Sequence, residues 1–131
     1  MAKLRILVVE DSETVNEVYY KMTFEGKFDF LKDVLEHNTL IVVYATTFTE
    51  AKALVQEKFD VVFLDNRLPI QSGGSPQPLG YQLIPEFKKN KTFVVGTSSD
   101  SSPITNYDIK LDKTGDNNYE DLAEIIRRLL T

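Results

Sequence analysis

The chain has no cysteine, a single histidine, no long apolar run and no surplus of positive charge. Without cysteine there is neither a disulfide framework nor a thiolate metal site, a composition that fits a reducing compartment. The one histidine, His37, ends an amphipathic stretch with no metal-ligating neighbour in sequence, so it reads as a surface or capping residue. No apolar stretch approaches the ~20 residues of a membrane-spanning helix, and Met1-Ala2-Lys3 does not open a signal peptide. The cytoplasm is the expected location, with no membrane partner. A formal net charge of −5 lacks the basic footprint of a nucleic-acid binder. No G-x-G-x-x-G motif follows the first apolar segment, which argues against a dinucleotide enzyme. There is no internal repeat and no coiled-coil heptad.

What is present is an alternation of short apolar segments and amphipathic ones. The 131 residues, 42% hydrophobic and 27% charged, suit one domain around one core; a single domain over 1–131 with no output domain is expected. Strands are predicted at Leu4 to Val9, Leu40 to Ala45, Val61 to Leu64, Phe93 to Gly96 and, more weakly, Tyr107 to Leu111. All five are short, and each contains β-branched residues. Ser12 is placed to cap a first helix whose apolar face is Val15, Val18, Tyr19 and Met22. Thr47 and Glu50 form a capping-box pattern ahead of Ala51, Leu54 and Val55. A third helix starts near Gly80 and buries Leu83, Ile84 and Phe87. Asn118 caps the last, with Leu122, Ile125, Ile126, Leu129 and Leu130 at helical spacing. Strands alternating with helices indicate a parallel sheet covered on both faces.

Five polar residues stand at the C-terminal ends of these strands: Glu10, Asp11, Asp65, Thr97 and Lys113. In an open parallel α/β sheet the ligand crevice lies outside the carboxyl ends of the strands, so groups far apart in sequence converge there. Three crowded carboxylates repel unless a cation neutralises them, and an all-oxygen set suits Mg²⁺ or Mn²⁺ rather than Zn²⁺. Asp65, between Val61-Val62-Phe63-Leu64 and Asn66-Arg67-Leu68-Pro69, is the candidate nucleophile. A carboxylate can accept a phosphoryl group, and that transfer is catalysed chiefly by positioning and charge neutralisation.

Four segments in order, Ile6-Leu7-Val8-Val9-Glu10-Asp11, Val62-Phe63-Leu64-Asp65-Asn66-Arg67-Leu68-Pro69, Val94-Val95-Gly96-Thr97-Ser98 and Leu111-Asp112-Lys113, make the chain resemble the receiver domain of two-component response regulators. The resemblance implies a flavodoxin-like (βα)5 fold, a doubly wound parallel five-stranded sheet in the order 2-1-3-4-5. It implies that Asp65 is phosphorylated by a histidine kinase or a histidine phosphotransfer protein. Glu10, Asp11, Asp65 and the backbone carbonyl of Arg67 would then hold Mg²⁺. Lys113 would contact the phosphoryl group, and Thr97 would turn toward it. Function would be that of a stand-alone phosphorelay switch acting on a downstream protein, not of an enzyme with a separate substrate.

Some segments depart from the receiver pattern. The stretch after the first helix is long, and Phe24, Phe28, Phe30 and Leu31 are either additional core or an exposed patch; core is expected. Ser72-Gly73-Gly74-Ser75-Pro76-Gln77-Pro78 is an insertion beside Asp65, expected to be a disordered loop rather than a lid or partner contact. The short span from Thr97 to Lys113 leaves a fourth helix short or absent. Lys110 stands where receivers usually carry a switching aromatic, and Thr114 replaces the usual proline. Arg67, two residues past Asp65, carries a long cation that would shield an acyl phosphate or point to solvent. These departures keep a second reading open, a pseudo-receiver that binds a partner without phosphate control. A haloacid-dehalogenase-type phosphatase fits less well, because its second aspartate would fall at Arg67.

Overall fold

The computed structural model describes residues 2–27, 29–97, 106–113 and 118–130. Five parallel strands form one sheet: β1 (Ala2–Val9), β2 (Asn38–Ala45), β3 (Val61–Leu64), β4 (Phe93–Gly96) and β5 (Ile109–Lys110). Their order is β2-β1-β3-β4-β5, the 2-1-3-4-5 winding expected. The fifth strand is shorter than the predicted Tyr107 to Leu111. Strand alternation sends Ile6, Val8, Val61, Phe63 and Val95 to one face and Leu7, Val9, Val62, Leu64 and Val94 to the other. Both sets are buried, because helices cover both faces.

The first face is covered by α1, which is the helical run 13–24, by α2 (Lys32–His37), and by α5 (Asn118–Leu129). The second is covered by α3 (Phe48–Leu54) and α4 (Ile84–Lys89), the latter entered through a 3₁₀ turn at Gly80–Leu83. The caps form as expected at two helices. Ser12 Oγ accepts from the Val15 amide at 3.2 Å, and Thr47 Oγ1 accepts from the Glu50 amide at 3.1 Å. The Glu50 carboxylate returns to the Thr46 amide at 3.0 Å, one residue earlier than in a standard box. At α5, Asn118 Oδ1 accepts from the Tyr119 amide at 2.9 Å.

Helix α1 departs from its predicted face for a specific reason. Its middle, Asn16–Lys21, is π-helical, and the wider turn places more residues per revolution than 3.6. The buried stripe therefore runs through Asn16, Tyr19, Tyr20, Thr23 and Phe24, while Val18 is 47% exposed. Beyond it, Phe24 and Leu31 are core and Phe30 packs on that core, as expected; Phe28 lies outside the described residues. The expectations for a fourth helix near 98–105 and for Thr114 also fall outside them.

The insertion after Asp65 is not the disordered loop expected. Arg67–Leu68 pairs antiparallel with Gln77–Pro78, Arg67 opposite Pro78 and Leu68 opposite Gln77. The Leu79 and Gly80 amides both donate to the Asn66 carbonyl at 2.9 Å. The paired flanks leave only residues 69–76 to close the reversal, and the cost of closing a loop rises with its length.

Gly80 fixes how close this return lies to the site. A Cβ placed there would fall 2.2 Å from the Asp65 carbonyl oxygen and 2.8 Å from Asn66 Cα, both backbone atoms that cannot turn aside. Gly80→Ala is therefore expected to destabilise by about 1–3 kcal/mol, the usual range for overpacking, with the largest amide chemical-shift changes at Asp65 and Asn66. Thermal melting and amide spectra check this, and a wild-type Tm with unshifted Asp65 would contradict it.

Candidate functional site

The site is built by strands that continue their ladders for one residue beyond the sheet. The Glu10 amide donates to the Ala45 carbonyl at 3.0 Å, Asp65 to Val9 at 3.0 Å and Thr97 to Leu64 at 3.1 Å. Three residues 32 or more positions apart thus leave the sheet at one level, on its C-terminal edge. Glu10, Asp65 and Thr97 are buried, at 2%, 7% and 1% exposure.

Carboxylate oxygens of Glu10, Asp11 and Asp65 all lie within 4.8 Å of one another. Lys113 reaches them from beyond β5: its Nζ donates to Glu10 Oε1 and, at 3.2 Å, to Asp65 Oδ2. The Lys113 backbone is tied to α5, since Asn118 Nδ2 donates to its carbonyl at 2.9 Å. Glu10 Oε2 accepts from the Ser12 amide at 3.1 Å, so each Glu10 oxygen has a donor. Asp65 Oδ1 has a longer contact, 3.4 Å from the Arg67 amide.

One ammonium against three carboxylates leaves negative charge in excess. Burial pushes the Glu10 carboxyl up to about 7, Lys113 pulls the other way, and Asp65 adds to the rise. At Lys113 burial disfavours the ammonium, but Asp65 and Glu10 outweigh it and hold the pKa above the ordinary lysine value. A divalent hard cation fits such a donor set: oxygen ligands, concentrated charge, and an edge open enough on the Asp11 side for water to complete the shell.

Polar frustration is concentrated around these groups. Buried polar atoms are normally hydrogen-bonded, and among the described residues four buried side-chain atoms have no such partner: Asn16 Oδ1, Tyr20 Oη, Asn66 Nδ2 and Thr97 Oγ1. Asn16 Nδ2 donates to the Glu10 carbonyl at 3.0 Å, and Asn66 adjoins Asp65. Thr97 and Tyr20 face each other, their hydroxyls interacting without completing a hydrogen bond of good geometry.

All five residues singled out in the sequence therefore come together. Arg67 does not bring its side chain to Asp65: the guanidinium donates to the Pro76 carbonyl at 3.1 Å and clasps the insertion instead, which removes the basis for shielding. Lys110 is exposed on β5, and Tyr107 lies against Gly96, where a Cβ would sit 2.5 Å from its ring. Sequence reasoning missed Asn16 and Tyr20. The π-helical offset that buries them leaves no mark in a 3.6-residue periodicity.

The Glu10 shift gives a signed pH dependence. A carboxyl with a folded-state pKa above its free value of 4.5 binds more protons folded than unfolded between 4.5 and about 7, so its contribution to stability is complete below 4.5 and is lost as pH rises through 7. In metal-free buffer, the Tm of wild type relative to Glu10→Gln should fall across that window. A difference that instead grows in favour of wild type would mean that the Lys113 pairing outweighs burial.

The sequence matches no protein-family model and no curated protein, whereas the structure has clear neighbours. A signal receiver domain from Vibrio parahaemolyticus superposes with a TM-score of 0.69 at 19% identity, covering 98% of this chain and 90% of that one. A response regulator receiver domain protein from Clostridium thermocellum does so with a TM-score of 0.59 at 19% identity, over 97% and 94% of the two chains. A response regulator from Burkholderia pseudomallei, described with a phosphorylated aspartic acid, a calcium ion and citrate, gives 0.54 at 18% identity over 95% and 71%. The fold of this chain is that of response regulator receiver domains.

Proposed function

We propose that this protein is a phosphoacceptor switch that takes a phosphoryl group on Asp65 and signals by protein–protein contact. The observation that supports this most is the convergence of Asp65 with Glu10, Asp11, Lys113 and Thr97 on one buried edge of a receiver fold. A receiver-fold neighbour that carries a phosphorylated aspartic acid and a calcium ion points the same way.

In the proposed step, an Asp65 carboxylate oxygen bonds to phosphorus while the phosphorus–nitrogen bond of a phosphohistidine donor breaks. The electron pair leaves with the imidazole nitrogen, which is then protonated. The donor would be a histidine kinase or a histidine phosphotransfer protein. Lys113, bound to both Glu10 and Asp65, would pair with a phosphoryl oxygen, a charge-assisted contact of the stronger class. Thr97 offers a buried hydroxyl that completes no hydrogen bond among the described residues. Glu10, Asp11, Asp65 and the Arg67 carbonyl would hold Mg²⁺, with Mn²⁺ as a substitute; the bound ion supplies neutralisation of the transferring oxygens. The chain would assist its own phosphorylation and dephosphorylation rather than turn over a separate substrate, and the setting proposed is cytoplasmic.

Exposed Lys110 on β5 favours a second reading, a pseudo-receiver that binds its partner without phosphate control. Incubation with acetyl phosphate and Mg²⁺, followed by intact mass, separates the two. A single phosphate adduct is expected on wild type and none on Asp65→Ala; Asp11→Ala should lose Mg²⁺ binding and about 100-fold in phosphorylation rate, the lower end of effects attributed to removing an electrostatic contribution to a transition state. An unmodified wild type would favour the pseudo-receiver, and an Asp11→Ala protein that matches wild type would refute the metal assignment.

A further inference from the structure

Tyr20 is the largest side chain fully buried in the described part of the chain, yet it carries a hydroxyl with no hydrogen-bond partner there. Its ring is held by Tyr19 at 4.9 Å, Phe63 at 5.8 Å and Phe24 at 6.1 Å between centroids. That ring cannot move far without disturbing the core, so the position of its Oη is set by packing. The hydroxyl neighbours that of Thr97 without completing a hydrogen bond, and Glu10 and Asp65 are close enough to act on it electrostatically. Burial keeps the phenol well above its ordinary pKa, so it remains a neutral donor.

An apolar ring would fill the same space without leaving a buried hydroxyl unpaired. A phenol retained there has its use when the site is occupied. Thr97 Oγ1 has one hydrogen to give. If Thr97 gives it to an anion bound to Asp65, its lone pairs are left free for a donor, and Tyr20 is the donor beside it. We infer that Tyr20 is a positioning residue for Thr97: its hydroxyl donates to Thr97 Oγ1 while Thr97 donates to a phosphoryl oxygen on Asp65. The two hydroxyls unpaired in the present state become a chain of two hydrogen bonds in the occupied one. Occupancy of the site is thereby felt in α1, at the π-helical stretch Asn16–Lys21 that presents Tyr20, a type of turn frequent at functional sites.

The inference rests on the phosphoacceptor reading and concerns which residue supports Thr97. The test uses beryllofluoride with Mg²⁺ as an acyl-phosphate mimic and measures affinity by calorimetry in a double-mutant cycle. Tyr20→Phe should weaken beryllofluoride binding roughly two- to tenfold, the ratio for one hydrogen bond, and should have no effect in a Thr97→Val background. The Tyr20 ζ-carbon resonance should move on binding in wild type and stay fixed in Thr97→Val. The Tm of unliganded Tyr20→Phe should equal or exceed that of wild type, because the lost hydroxyl had no partner. An equal loss of affinity in both Thr97 backgrounds would reveal a merely structural role and overturn the inference, as would an unmoved Tyr20 resonance in a wild-type protein that binds the mimic. A wild type that fails to bind beryllofluoride at all would overturn the phosphoacceptor reading itself, and the role of Tyr20 with it.

Discussion

Three carboxylates whose oxygens lie within 4.8 Å of one another at one edge of the sheet are the constraint to which the rest of this molecule answers. Glu10, Asp11 and Asp65 would separate in water; here the ladder bonds from Glu10 to Ala45 and from Asp65 to Val9 hold them together. Lys113 neutralises part of that charge and, through Asn118, ties the sheet edge to α5. The negative charge that remains uncompensated suits a divalent hard cation. A buried ion pair contributes little to net stability once desolvation is counted, so the cluster is not accounted for as a structural brace. The same applies to the four unpaired polar atoms on Asn16, Tyr20, Asn66 and Thr97.

The apolar framework around the site accounts for how such a cluster persists. Each central strand buries both of its faces, with Phe63 and Val61 turned to α1 and α5 and Leu64 and Val62 to α3 and α4. Burial of that kind contributes about 25 cal/mol for each Å² removed from water, which is ample to offset a few kcal/mol of electrostatic crowding at one edge. The Asp65 loop is fixed from the opposite side by Gly80 and by the ribbon joining Arg67–Leu68 to Gln77–Pro78. Arg67 closes that ribbon on Pro76, so the insertion is tied down rather than free.

How far the sequence reveals this differs from element to element. Short apolar segments ending in polar or charged residues disclose the parallel sheet and the five converging groups, because strand ends and ligand crevices are linked by topology, whereas the winding of the sheet follows from the resemblance to receiver domains. Capping at Ser12 and Thr47 is equally local and equally readable. Two features were not. The π-helical turn in α1 depends on packing against the sheet, so a 3.6-residue pattern assigned Val18 to the core and passed over Tyr20 and Asn16. The insertion has the composition of a loose loop, but its backbone is fixed by Asn66, whose carbonyl accepts from both Leu79 and Gly80; such a tertiary pairing leaves no periodic trace. In both cases the chain deviates from local rules beside the site, where functional demands most often override them.

The central claim is that Asp65, and neither of the other two carboxylates, forms the acyl phosphate. Borohydride reduces an aspartyl phosphate to homoserine, which fixes the position of an otherwise labile adduct. After treatment with acetyl phosphate and Mg²⁺ followed by borohydride, tandem mass spectrometry of the digested protein should find homoserine at residue 65 alone. Homoserine at residue 11, or none at any position in a protein that had bound Mg²⁺, would contradict the account.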